Sequence, residues 1–521
     1  MDIGEEIAQS SVRGSIYLFL GTTSSTILLA LASIVFGRLL GPEGYGLYAL
    51  SLTPSALLII GTGYGLNVGL VKYLSEYQRR GEYGWIKSII WRSISFQALC
   101  GSILAAILYL YPDIFARYLI NRPEAIEYIR ITSLYVVGMV VLATLNQIFI
   151  GLNRMGRTSI TMFIQASSKL AVGAGLVILG FGIYGAVLGH SISYIIGGAA
   201  GAILIYLLIR SYKGGSNPSN NIGLLKLISY GFPVYIGAVT MPFLNVYRNY
   251  LLSIYTSNVE IGYFTAAINL AAPLVIFINP VVSTLFSSFS RLEKEREMNI
   301  IRQLFRYSIK YSSTIITPII IYVFVTSREI ITLVYGSAYS PASPYLILAA
   351  APYLLVASGY LIINSLLNGI GETGMVMRIL LIAAATSIPL YPILLITLGI
   401  TGILITMFVA ALAGLVYGLR YAHKKYGLQP EIRGSIKIVL AAALAGLITL
   451  AVKYVLQVAR PIYAVTLYGF IYLLAYMVVL PYIGGLKAGE MDMLEKSFKG
   501  LGILGYLLTL LIRLGKKLCK K

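Results

Sequence analysis

The sequence predicts an all-α polytopic membrane protein of about 14 transmembrane helices, built as two six-helix lobes plus two C-terminal helices. Three observations predict it. Of the 521 residues, 58% are hydrophobic and 11% charged, with a mean hydropathy of +0.83, outside the range of a soluble domain. Continuous apolar runs of about 20 residues recur along the chain, each long enough as a helix to cross a hydrocarbon core of about 30 Å. A membrane β-barrel would instead alternate polar and apolar residues in segments of about 10. The third observation is a phrase that returns. Gly46-Leu47-Tyr48-Ala49 and Gly262-Tyr263-Phe264-Thr265 stand 216 positions apart, each opening an apolar run.

In chain order the runs place spans at 13–37, 46–74, 87–111, 126–152, 158–180 and 182–210. A second set follows at 229–256, 260–290, 304–327, 342–369, 374–397 and 399–422, and two more at 435–457 and 461–483. Arg38–Leu50, RLLGPEGYGLYAL, separates the first two: Gly41-Pro42 imposes a turn between apolar runs. The offset holds elsewhere. Gly14 matches Gly231, Asn153–Thr158 matches Asn368–Thr373, and Gly182–Gly185 matches Gly399–Gly402, at separations of 215 to 217. Six helices per repeat is an even number, so both repeats enter the membrane in the same direction. Such halves are related by a pseudo-two-fold axis along the membrane normal, with a cavity between them. The domains are therefore an N-lobe (1–212), a C-lobe (226–425), an added pair (433–484) and a tail (485–521). In the tail, apolar Leu501–Ile512 between Lys499 and Arg513 is too short to span and predicts an interfacial amphipathic helix.

Basic residues set the orientation. Loops after even-numbered spans carry Arg79, Arg80 and Lys87, then Arg154 and Arg157, Lys213 and Lys226, Arg291 and Lys294, and Lys424 and Lys425. The opposite side holds few, chiefly Arg38, Arg117, Arg122, Arg328 and Arg460. Both termini are expected in the cytoplasm of a cell-membrane protein. The net charge of +21 is then a cytoplasmic coat facing anionic headgroups, not a nucleic-acid footprint. Two cysteines, Cys100 and Cys519, give no disulfide framework or metal spacing, and no cofactor motif is present. No Gly-x-x-x-x-Gly-Lys loop supports a nucleotide-driven pump.

The Gly-Pro-Glu-x-Tyr-Gly-x-Tyr phrase after span one, its weaker copy after span seven and the 6+6+2 layout resemble the polysaccharide (lipid-linked oligosaccharide) flippases. These belong to the multidrug/oligosaccharidyl-lipid/polysaccharide (MOP) exporter superfamily. The resemblance implies a non-enzymatic transporter that moves a polyprenyl-pyrophosphate-linked glycan from the cytoplasmic to the outer leaflet by alternating access. It implies as partners a lipid-linked oligosaccharide, the membrane lipids and enzymes of glycan assembly. By similarity to the lipid II flippases, the added pair forms a groove for the lipid tail; a packing role is the other reading.

The charged residues divide these functions. All 19 acids fall at loops or termini. A carrier of cationic drugs needs buried carboxylates, and the drug-extrusion branch usually has them in its first or seventh span, so the chain departs from that branch. An ion-coupled drug or metabolite antiporter of the same fold stays as the alternative. A membrane enzyme of glycan assembly is a further one, weakened by the absence of an Asp-x-Asp motif.

Basic groups do lie inside spans. Arg248 stands about 12 Å from the outer end of span seven, with Asn245 on its face and Asn249 beside it. It reads as a phosphate clamp, since a guanidinium offers several donors, or as a structural tie. Lys169 lies about 16 Å into span five, on a polar stripe with Thr158, Thr161, Gln165 and Ser168 that either lines the cavity or glues helices together. Lys72 near the cytoplasmic end of span two meets an entering pyrophosphate or snorkels to the interface. Asn67 and Asn269 either bond sugar hydroxyls or bridge helices. His190 is a lone histidine, a packing residue or a proton relay. Pro242, close before Arg248, predicts a bend in span seven.

Overall fold

The computed structural model describes residues 3–63, 65–212, 223–274, 289 and 297–485; the predicted tail helix falls outside them. Among the described residues all regular structure is helical. Ten helical stretches among the described residues are long and apolar enough to cross a bilayer, eleven with the bent pair Leu224–Phe232 and Gly237–Tyr255 taken as one span. The chain is a multi-pass membrane protein. Two stretches far exceed one crossing: Tyr17–Ile60 has 44 residues and Met155–Ser211 has 57. Each contains a reversal at glycine. Gly41 has φ 67°, and Gly180 and Gly182 have φ 93° and 50°, values that side chains resist. Each stretch divides there into two helices, where the sequence places the ends of spans one and five. Part of the eighth expected span, 260–290, lies outside the described residues.

Packing density separates two compact units, Met1–Thr265 with Tyr391–Ile400, and Ala266–Leu390 with Thr401–Lys521. This is a division by contact, distinct from the division by repeat.

The first unit contains α1 (Ile3–Ser51), α2 (Thr53–Ile60), α3 (Leu66–Arg80), α4 (Tyr83–Leu110), α5 (Ile126–Gly151), α6 (Met155–Ser168), α7 (Gly182–Ser211), α8 (Leu224–Tyr255) and the start of α9 (Asn258–Ala271). Its buried core joins Leu70 and Leu74 of α3, Ile86 and Ile90 of α4, Leu145 and Phe149 of α5, and Leu208 of α7. Span two is not one helix. It breaks between Ile60 and Leu66, with Gly65 left-handed at φ 79°. Irregular backbone at membrane depth must find partners within the protein, and here α8 supplies one: the Tyr235 hydroxyl donates to the Ile60 carbonyl. A Cβ on Gly231 would stand 1.9 Å from the Gly65 carbonyl oxygen, so the two backbones touch. The bend of α8 falls at this crossing, 74° between Phe232 and Gly237. It therefore lies earlier than the expected position at Pro242, at the crossing that Gly231 permits.

The returning phrase meets its own copy. A Cβ on Gly46 would lie 1.9 Å from the Asn258 carbonyl oxygen, and a Cβ on Gly262 would lie 1.9 Å from that of Pro42. Pro42 and Asn258 carry the same 216-residue offset as the two glycines. Each copy thus presents the same glycine to the same position of the other, the reciprocity of a local two-fold axis. Arg122, before α5, holds the adjoining end of α8. Its Nε donates to Asn258 Oδ1 at 2.6 Å, and its Nη atoms donate to the carbonyls of Ser253 at 2.9 Å and Thr256 at 2.7 Å. Those carbonyls end a helix and have no partner within it. Arg122→Ala is expected to cost about 2–3 kcal/mol, the worth of charge-assisted bonds to one guanidinium. A thermal melt in detergent showing an unchanged midpoint would contradict this.

In the second unit α10 (Met298–Val325) is the centre. Its Phe305, Ile309 and Ile316 pack with Ile363, Leu366 and Leu367 of α13 (Ile362–Gly369) and Leu415 of α15 (Ile400–Tyr426). Helices α11 (Ser327–Tyr335), α12 (Ser343–Ala350) and α14 (Thr373–Leu398) complete the set. Expected span ten, 342–369, is discontinuous. After α12 the chain tightens to a 3-10 segment, Ala351–Ser358, then breaks at Gly359 and at Leu361, whose φ is 68°. The added pair, α16 (Ile432–Leu456) and α17 (Pro461–Tyr482), docks on α10. Tyr476 donates to the Thr314 carbonyl at 3.0 Å, and Lys453 pairs with Glu329 at 2.9 Å. These ties serve the packing role of the pair.

Candidate functional site

Lys169 opens a π-helical turn, Lys169–Gly173, at the end of α6. Such turns widen a helix and re-aim the side chains on it. The turn lies against α7 at backbone distance: a Cβ on Gly189 would stand 2.2 Å from Gly173 Cα. This brings α7, with His190 next to the contact, and Phe36 of α1 to the turn that the lysine opens; the lysine Nζ is 5.9 Å from the Phe36 ring centre. Lys169 is half-buried. Among the described residues it makes no hydrogen bond or ion pair.

The rest of its polar stripe does other work. Gln165 is buried and donates to Ser193 Oγ at 3.1 Å, while Thr161 bonds Asn146 Oδ1 at 2.6 Å. These bonds tie α6 to α7 and α5, so for Gln165 and Thr161 the structure supports the helix-gluing alternative.

Arg248 is half-buried on α8 beyond the bend. Its guanidinium carbon lies 5.0 Å from the Phe264 ring centre, and the Tyr391 side chain is in hydrogen-bonding reach. Ring and phenol orient its planar fork. Asn249 donates to Thr53 Oγ1 at 3.2 Å and so bridges α8 to α2. Asn245 is exposed.

Lys72 is exposed on α3, and its Nζ sits 3.7 Å above the Tyr230 ring centre and 5.1 Å from that of Tyr73. Lys226 stands 6.0 Å from the same Tyr73 ring, so two cations share an aromatic platform where α3 crosses α8. Asn67, half-buried on α3, has its Oδ1 enclosed without a hydrogen-bond partner among the described residues. Asn269 is half-buried on α9 in the second unit. Lys72, Lys169 and Arg248 thus occupy three distinct settings in the first unit.

The sequence reading passed over Lys310. It is 5% exposed on α10, deep within expected span nine. Its signal was present: Ser313, Thr314 and Thr317 follow it at helical spacing. Among the described residues no group of three acids, histidines or cysteines is placed to hold a metal.

Residues 11–293 match the family described as polysaccharide biosynthesis protein, more than half of the chain. A protein of Haloferax volcanii named as a probable low-salt glycan biosynthesis flippase, Agl15, is 24% identical over 398 residues, 75% of this chain and 79% of its own. Among solved structures, the lipid II flippase MurJ in an inward closed conformation superimposes with a TM-score of 0.70 at 17% identity, covering 89% of this chain and 98% of that one. A multidrug-resistance MATE transporter of the MOP superfamily, inward-facing, gives 0.66 at 18% identity over 77% and 95%. The reciprocal glycine phrase and helical architecture described above agree with these similarities: the chain belongs to the polysaccharide biosynthesis protein family and has the fold of the MOP superfamily.

Proposed function

We propose that the protein is a flippase that carries a polyprenyl-pyrophosphate-linked oligosaccharide from the cytoplasmic to the outer leaflet by alternating access. Lys169 carries the reading. An ammonium that far inside a span costs at least about 2.5 kcal/mol on insertion scales. It has no hydrogen-bonded or ion-paired acid among the described residues. That cost is met if an anionic ligand visits. Arg248, held by Phe264 and Tyr391, supplies a second cation with a fork matched to phosphate oxygens. The Lys72 and Lys226 platform is the cytoplasmic entry point, Asn67, Asn245 and Asn269 offer amides to the glycan, and both termini face the cytoplasm. The two repeats act as the rocking lobes. The names of relatives, a glycan flippase and a lipid II flippase, support the substrate class.

The test is leaflet-resolved transport. Purified protein in liposomes should expose a cytoplasmic-side lipid-pyrophosphate oligosaccharide to an added glycosidase faster than empty liposomes do. Equal rates would end the proposal. Ion-coupled efflux of a small cation by the same liposomes would favour the antiporter instead.

A further inference from the structure

We infer that His190 is a second donor in the Lys169 site and that the pair binds a pyrophosphate group. The inference rests on the function proposed above and deepens it. His190 is 7% exposed on α7. Its Nδ1 lies 3.0 Å from the Tyr48 hydroxyl, which is itself buried in α1. The hydroxyl has no other hydrogen-bond partner among the described residues, and we assign it as the donor to Nδ1, with the ring proton on Nε2, because the opposite tautomer would leave both the buried phenol proton and Nε2 without partners. That Nε2 is enclosed and has no partner among the described residues. A buried N–H without an acceptor is rare enough in folded proteins to require a reason.

The neighbours define the ligand. Tyr135 and Tyr194 pack on His190 with ring centres at 4.8 and 5.3 Å and fix its plane. The Gly173–Gly189 contact sets Lys169 on the adjacent turn. Among the described residues no carboxylate is hydrogen-bonded or ion-paired to either His190 or Lys169. The set is donors only, an ammonium and an imidazole N–H. Its complement is a group made only of acceptors, which a pyrophosphate is and a sugar hydroxyl is not.

The experiment measures binding in detergent of three probes: polyprenyl pyrophosphate, polyprenol and inorganic pyrophosphate. His190→Phe is expected to weaken polyprenyl pyrophosphate about 10-fold or more and leave polyprenol unchanged, with His190→Gln restoring part of the loss. Tyr48→Phe, which frees the ring to place its proton on Nδ1, should weaken the pyrophosphate probe while keeping the packed volume. These variants guard against a His190→Phe protein that fails to fold. Displacement of the lipid by inorganic pyrophosphate in the parent but not in His190→Phe would support the site and locate recognition in the head group. Parental affinity in all His190 and Tyr48 variants, with Lys169→Ala losing the probe, would overturn the inference and leave the flippase reading standing. A parent that binds polyprenol as well as polyprenyl pyrophosphate would overturn both.

Discussion

Leucine at Gly46 is expected to abolish flipping, to below about 1% of the parental rate, while the protein still folds and binds lipid. The obstacle is backbone. Even one methyl at Gly46 would lie 1.9 Å from the Asn258 carbonyl oxygen and 2.8 Å from the Gly262 nitrogen, so the helix ends must part. Packed interiors absorb little of such a shift. Under alternating access this end would stay open, since the closed contact is the one the side chain forbids. Gly262→Leu should do the same from the other copy, against the Pro42 carbonyl, and the double variant should be no worse than either single, because both remove one contact. Gly44 is the control. A methyl there meets only side-chain atoms, Leu40 Cβ at 3.2 Å and Ile183 Cγ1 at 3.5 Å, so Gly44→Ala should flip within about twofold of the parent. The checks are the leaflet-resolved assay and labelling of a cysteine placed near residue 258. Parental flipping by Gly46→Leu would show that this contact need not form during the cycle.

Arg248→Ala is expected to slow flipping of the pyrophosphate-linked substrate by about 10- to 100-fold, the worth of one charge-assisted bond. Arg248→Lys should recover only part, because an ammonium keeps the charge but loses the planar fork that Phe264 and Tyr391 orient. Asn245→Ala, one turn away and exposed, should stay near the parent. If Arg248→Ala slows an uncharged polyprenol-linked glycan equally, the guanidinium is a tie between α8 and Tyr391 rather than a ligand. The separation of head-group from structural roles comes from that comparison.

How much of this was legible in the sequence differs from residue to residue. The turn at Gly41-Pro42 and the hairpin at Gly180–Gly182 were readable, because a glycine between apolar runs is a local signal and the conformation it permits is local too. Lys169 and Arg248 were readable as charges inside apolar runs. For Gln165 the shared stripe left two readings open, since helical spacing says which residues share a face but not what that face meets, and the bond to Ser193 is visible only in the fold. The breaks at 61–65 and at 359–361 were not foreseen, because apolar composition continues through them and only contacts such as Tyr235 to the Ile60 carbonyl make them tolerable.

The sequence by itself determined that this is a many-helix membrane protein, that its acids avoid the spans, and that one phrase is used twice. Hydropathy, charge and repetition are properties of the chain, and lipid punishes any arrangement that ignores them. Tertiary structure alone decided that the two phrases touch each other through Gly46 and Gly262, that Gly189, next to His190, packs on the turn that Lys169 opens, and that Lys310 is buried. Those are facts about partners hundreds of positions or several helices apart, set by which backbones pack closely, and no local pattern encodes them.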